Sequence, residues 1–125
     1  MWCFVANNAS VLVVDDEAVI ADTLCIILKN SGYDAFAVYS AEEALDWCRN
    51  RCPDVVITDV VMGGLNGIQL AQRLQETLPD CKVVLISGNA NTSALLQDWP
   101  EIDFPFPILS KPIHPQKILD LVAAL

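Results

Sequence analysis

The chain has 125 residues and a mass of 13.7 kDa, room for one domain at roughly 100–200 residues per domain. Hydrophobic residues make up 54% and charged residues 18%, enough apolar surface to offset chain entropy and exclude a disordered chain. Seven Lys+Arg against sixteen Asp+Glu leave a formal charge of -9, the wrong sign for gripping nucleic-acid phosphates or an anionic membrane surface. The apolar stretch Met1 to Ala6 lacks a basic flank and is too short for a signal sequence, and no uncharged apolar run approaches a membrane span. The cysteines Cys3, Cys25, Cys48, Cys52 and Cys81 are odd in number and sit in apolar contexts. They read as reduced thiols of a cytoplasmic protein rather than as a disulfide framework.

The first apolar run is Val11-Leu12-Val13-Val14, continuous and rich in β-branched residues, which predicts a strand buried on both faces. A helical pattern follows, with Val19, Ile20, Leu24, Ile27 and Leu28 on one face and Asn30-Ser31-Gly32 as its stop. Ala35 to Tyr39 is a weaker, mixed strand. Ser40-Ala41-Glu42-Glu43 then reads as a capping box opening a second helix, with Ala44, Leu45 and Cys48 inward. Val55-Val56-Ile57 is the next strong strand. After Asn66-Gly67 a third helix turns Ile68, Ala71, Leu74 and Leu78 inward and stops before Pro79. Val83-Val84-Leu85-Ile86 is the fourth strand and Ile108-Leu109 a short fifth. A last helix starts near Pro115, burying Ile118, Leu119 and Val122.

Strict alternation of strand and helix with right-handed crossovers makes a parallel sheet covered on both sides. With the three strong strands central and the two weak ones at the edges, the order is 2-1-3-4-5, an α/β doubly wound (βα)5 three-layer sandwich of the flavodoxin-like kind. Its site lies at the carboxyl ends of the strands. There the first run ends in Asp15-Asp16-Glu17, the third in Thr58-Asp59, the fourth in Ser87-Gly88, and the fifth leads into Ser110-Lys111-Pro112. Carboxylates converging on one pocket repel one another unless a cation sits among them, and oxygen ligands favour a hard one such as Mg²⁺. Lysine and a hydroxyl beside them suit phosphoryl transfer onto a carboxylate.

With those residues in place the chain resembles the receiver domains of two-component response regulators, from Ser10 to Leu125. The marks are an acidic pair after the first strand, an aspartate ending the third, Ser or Thr ending the fourth, and Lys-Pro after the fifth. The resemblance implies Asp59 as phosphoacceptor, Asp16 and Asp59 as direct Mg²⁺ ligands, Asp15 as a water-mediated or second ligand, and the Val61 carbonyl as the remaining protein ligand. It further implies Ser87 as the switch hydroxyl, Lys111 as the partner of the phosphoryl oxygens, a Lys111-Pro112 bond that is often cis, and a small Gly88 that leaves the acceptor accessible. Residues 1–9 would be an N-terminal extension and 10–125 the receiver.

The donor implied is a phosphohistidine on a sensor histidine kinase or a histidine phosphotransfer protein. The face implied for a downstream effector is the fourth helix, fifth strand and fifth helix, roughly Asn91 to Leu125, with dimerisation on phosphorylation left open. Val61 and Asn89 flank the route of the hydrolytic water in such domains. A free-standing receiver and one unit of a longer regulator or hybrid kinase share this sequence pattern. Two departures from the family stand out. Met62-Gly63 replaces the usual Met-Pro, so the loop holding Gly63, Gly64 and Gly67 is expected to be more mobile. Ile108 stands where an aromatic switch residue is common, with Phe106 between Pro105 and Pro107.

Other functions fit less well. A haloacid-dehalogenase-like phosphatase needs a second aspartate where Val61 stands. A flavodoxin needs a phosphate-cradling loop where Asp15-Asp16-Glu17 would repel the cofactor. A docking scaffold that is never phosphorylated would not need the full motif set. Taken singly, the acidic pair suits any helix start, His114 reads as a surface loop residue, and Cys48 and Cys52 as thiols at a helix end. Trp99, Phe104 and Phe106 form either an exposed patch or packing beneath a loop.

Overall fold

The computed structural model describes residues 9–88, 107–111 and 113–125. Five strands, β1 (Ser10–Val14), β2 (Asp34–Val38), β3 (Val55–Asp59), β4 (Lys82–Ser87) and β5 (Ile108–Ser110), form one sheet in the order β2-β1-β3-β4-β5. All pairings are parallel. Among the described residues the helices are α1 (Ala18–Asn30), α2 (Ala41–Trp47), α3 (Gly67–Thr77) and α4 (Pro115–Ala124). The helix expected between β4 and β5 lies outside the described residues, as do Asn89, Trp99, Phe104, Phe106 and the Lys111-Pro112 bond.

Side chains of a strand alternate between faces, and the continuous apolar runs therefore feed two cores. Leu12, Val14, Val56, Val83 and Leu85 meet Ala44 of α2 and Ile68, Leu70 and Leu74 of α3. On the opposite face Val11, Val13, Ile57, Val84 and Ile86 meet Leu24 and Leu28 of α1 and Ile118 and Val122 of α4. This three-layer arrangement is the one expected from the alternation, with the two weak strands at the edges. Pro107 precedes edge strand β5, where its carbonyl accepts the Leu85 N–H at 2.9 Å and its missing donor costs the ladder nothing.

Helix ends follow their sequence signals. The Ser40 side chain accepts the Glu43 N–H at 3.0 Å, the Ser40 half of the expected capping box without the return bond from Glu43, and α1 stops before Gly32, whose φ of +97 suits the left-handed turn past a helix end. A complete capping box opens α3, where Asn66 accepts from the Gln69 N–H and the Gln69 side chain from the Asn66 N–H.

Two expectations need correction. The buried stripe of α1 is Ala21, Leu24, Cys25 and Leu28, whereas Val19 is 78% exposed. This helix is apolar over such a wide arc that periodicity alone misplaces its centre, and small Ala21 lets the backbone approach the sheet. The second strand runs Asp34–Val38 rather than Ala35–Tyr39, because Ser10↔Asp34 through Val14↔Val38 sets its register. Tyr39 instead turns outward, its hydroxyl donating to Asp22 at 2.7 Å.

Candidate functional site

Parallel strands end on one rim, which brings Asp15, Asp59, Ser87 and Lys111 together from β1, β3, β4 and β5. Asp15 is buried beyond the last residue of β1, and its N–H extends the pairing to the Val38 carbonyl at 3.3 Å. One of its carboxylate oxygens accepts the Glu17 N–H at 2.9 Å at the start of α1. The other faces the Lys111 ammonium at 3.5 Å. Asp59, buried at the end of β3, places an oxygen 3.3 Å from the same ammonium. Exposed Asp16 completes a group in which one carboxylate oxygen from each of Asp15, Asp16 and Asp59 lies within 4.8 Å of the others.

The cluster holds three carboxylates, two of them against one ammonium, a formal excess of two negative charges. Burial and the Asp15 charge push the Asp59 carboxyl above its ordinary range, with Lys111 pulling the other way. Burial alone would lower the Lys111 ammonium, but Asp59 and Asp15 outweigh it and hold that group above the usual lysine value. Burial leads the first shift and neighbouring carboxylates the second, and in both the pocket is short of positive charge. An all-oxygen donor set with that deficit fits a hard divalent cation.

Lys111 is placed by its backbone, whose N–H donates to the Ser87 carbonyl at 2.9 Å. Ser87 is buried at the end of β4, paired in register with Ser110. Gly88 makes room for the lysine, since a Cβ there would lie 3.1 Å from its Cδ. The glycine thus accommodates the Lys111 stem. Ile113 and Pro115 line an apolar groove beside Lys111 together with Val19, Ile20 and Ile27 of α1.

The loop after Asp59 is tied into the fold. Val60 is fully buried and its N–H donates to the Ile86 carbonyl at 2.9 Å; Gly67 N–H donates to the Val60 carbonyl at 2.8 Å. Gly67 is a packing glycine rather than a flexible link, because an added Cβ would run into the Asp59 carbonyl. Val61 turns its side chain outward, 44% exposed, between inward Val60 and Met62. Sequence reasoning missed Glu42, whose carboxylate accepts the Leu65 N–H at 3.2 Å. Its position in the first turn of α2 had signalled helix capping alone.

Among the described residues, none of the remaining sequence candidates belongs to the acidic cluster. His114 is exposed and caps α4, its Nδ1 accepting the Gln116 N–H at 3.1 Å. Among the described residues Cys25, Cys48, Cys52 and Cys81 are all free thiols. Burial pushes Cys48 up to about 11 and Cys81 up to about 12, away from thiolate reactivity.

The family model described as response regulator receiver domain matches residues 11–123. The chain belongs to that family. The receiver domain is similar to a protein-glutamate methylesterase/protein-glutamine glutaminase of Nitrosospira multiformis, 37% identical over 97 residues, which are 75% of this chain and 27% of that protein. It therefore spans about a quarter of that relative's length. A response regulator receiver domain protein from Clostridium thermocellum superposes with a TM-score of 0.83 at 25% identity, over 93% of this chain and 92% of that one. The receiver domain of NtrX from Brucella abortus gives 0.79 at 27% identity, over 91% and 95%. Receiver domains are the signalling switches of two-component systems, working between histidine kinases and effector domains. No helix among the described residues is long and apolar enough to cross a membrane.

Proposed function

We propose that this receiver, residues 10–125, takes a phosphoryl group on Asp59. The observation that carries the reading is Lys111 Nζ lying 3.3 Å from Asp59 and 3.5 Å from Asp15 within an acidic cluster at the strand ends. Asp59, Asp16 and the Val61 carbonyl would hold Mg²⁺ directly. Asp15 would act through water, a role supported by the Glu17 and Lys111 partners its two oxygens already have. When bound, the ion neutralises charge on the phosphoryl oxygens. An Asp59 carboxylate oxygen attacks phosphorus in line; the new O–P bond forms as the P–N bond of a phosphohistidine breaks, the electron pair leaving with the imidazole. Lys111 stabilises the equatorial oxygens, and the Ser87 hydroxyl is the group that responds to them.

The donor is a histidine kinase or histidine phosphotransfer protein. The output is an effector bound through residues 91–125, whose two states need differ by only a few kcal/mol for phosphorylation to redistribute them. The domain catalyses only its own phosphorylation and dephosphorylation, and its free cysteines support a cytoplasmic setting.

Intact mass after incubation with acetyl phosphate tests the assignment. One phosphoryl group gained with Mg²⁺ and not without it is the expected result; no gain under either condition favours a docking scaffold. Val61 is an exposed apolar side chain two residues past Asp59, and Val61→Asn is expected to shorten the phosphoryl half-life several-fold by orienting the attacking water. An unchanged decay of the phosphorylated mass would reject that role for the side chain.

A further inference from the structure

The loop between β3 and α3 contains two consecutive glycines, Gly63 and Gly64, and glycine loses the most conformational freedom on ordering. At one end of the loop Val60 is bonded to Ile86, and at the other the Asn66 N–H donates to Gln69 at 2.9 Å. Met62 is buried between them, and Leu65 packs against the same core cluster. The glycine pair therefore bridges two apolar anchors. Glu42 crosses to this bridge from the first turn of α2, 23 residues earlier in the chain, to accept the Leu65 N–H at 3.2 Å. The same carboxylate oxygen lies against Gly64, where an added Cβ would be 2.9 Å away; Gly64 holds a φ of +75 that other residues rarely adopt. This chain thus has a glycine pair in the loop and a side-chain tether to it from a neighbouring helix.

We propose that Glu42 is a positioning residue for the divalent cation. By holding the Leu65 amide and the Gly64 turn it orders the segment that presents the Val61 carbonyl to the acidic cluster. The inference rests on the assignment of that carbonyl and of Asp16 and Asp59 to Mg²⁺.

Calorimetric titration of the whole protein with Mg²⁺, together with hydrogen exchange at the Leu65 amide, tests it on wild type, Glu42→Ala, Glu42→Gln and Asp16→Asn. A single charge-assisted hydrogen bond at an exposed position predicts a rise of roughly three- to tenfold in the Mg²⁺ dissociation constant for Glu42→Ala, with faster exchange at Leu65. Glu42→Gln, which keeps an acceptor oxygen, should recover most of the affinity. Unchanged Mg²⁺ affinity in Glu42→Ala overturns the proposal, whether or not its Tm falls. A Gln variant as weak as the Ala variant overturns it too, because the effect would then come from charge rather than from the tether. If wild type binds no Mg²⁺, or Asp16→Asn binds it equally well, the metal assignment itself fails, and that result is distinct from failure of the tether alone.

Discussion

Asp59→Asn is expected to lose phosphorylation completely while making the metal-free domain more stable. The first effect follows from removing the attacking oxygen anion: an amide cannot form the acyl phosphate, so the mass gain with acetyl phosphate and Mg²⁺ should vanish. The second follows from the electrostatics of the rim. Burial and Asp15 both oppose the charged form of Asp59, and the single Lys111 does not cancel them. A carboxyl whose pKa is raised by folding binds its proton more tightly in the native state. In metal-free buffer its contribution is favourable at low pH and is lost as pH rises from the ordinary carboxylate range through the raised value. An uncharged side chain of the same shape escapes that loss. The variant should melt a few degrees higher than wild type in EDTA near neutral pH, with the gap closing in acid and on adding Mg²⁺ to wild type. Equal melting temperatures across that pH range would mean that the carboxylate is not under the strain the geometry implies, and labelling that persists in the variant would move the acceptor elsewhere.

Gly67→Ala at the start of α3 and Gly63→Ala in the loop before it, four residues apart, should have opposite effects. Alanine in the first turn of a helix is intrinsically better than glycine by up to about 1 kcal/mol, but at Gly67 the added Cβ would overlap the Asp59 carbonyl and lie 2.9 Å from its carbon and 3.0 Å from the Val60 Cα. These are backbone atoms of Asp59, the proposed phosphoacceptor at the end of buried β3, and of the residue after it, so the loop or the strand end must move. A net loss of about 2–3 kcal/mol is expected, a fall in Tm of roughly 8–12 °C for a domain of this size. Phosphorylation should slow as well, since displacement of a reacting group by about 1 Å can cost 10²-fold. At Gly63 nothing lies within 4 Å of an added Cβ and φ is not positive. Alanine there should be neutral or stabilising by up to about 1 kcal/mol through loss of freedom in the unfolded chain. Thermal melts of the two variants decide the matter. A Gly67→Ala protein as stable as wild type would contradict the close packing of α3 on the Asp59 backbone.

The contrast between these glycines marks the boundary of what sequence can tell. In the sequence Gly63, Gly64 and Gly67 look alike, three small residues suggesting a mobile loop. In the fold they separate into an open position, a left-handed turn beside Glu42, and a contact with the Asp59 carbonyl. Nothing local distinguishes them, because what differs is the distance to atoms brought close by other elements. Glu42 was hidden for the same reason: its bond to Leu65 spans α2 and the loop after β3. Val19 and Tyr39 show the limit for patterning, since a helix apolar around much of its circumference does not reveal which arc meets the sheet, and a mixed edge strand does not reveal its register.

The sequence by itself determined the layers, the strand order and the rim that carries the candidate site. Continuous β-branched runs are stable only when covered on both faces; their alternation with helices forces parallel crossovers, and parallel strands end on one side. Asp15, Asp59, Ser87 and Lys111 therefore had to meet, however far apart they stand in the chain. Only the tertiary structure decided the balance of charge within that rim, the lysine's seat against Gly88, and the tether that Glu42 throws across a glycine-rich loop. Those depend on separations of a few ångströms between elements distant in sequence, and periodicity and residue type carry no such distances.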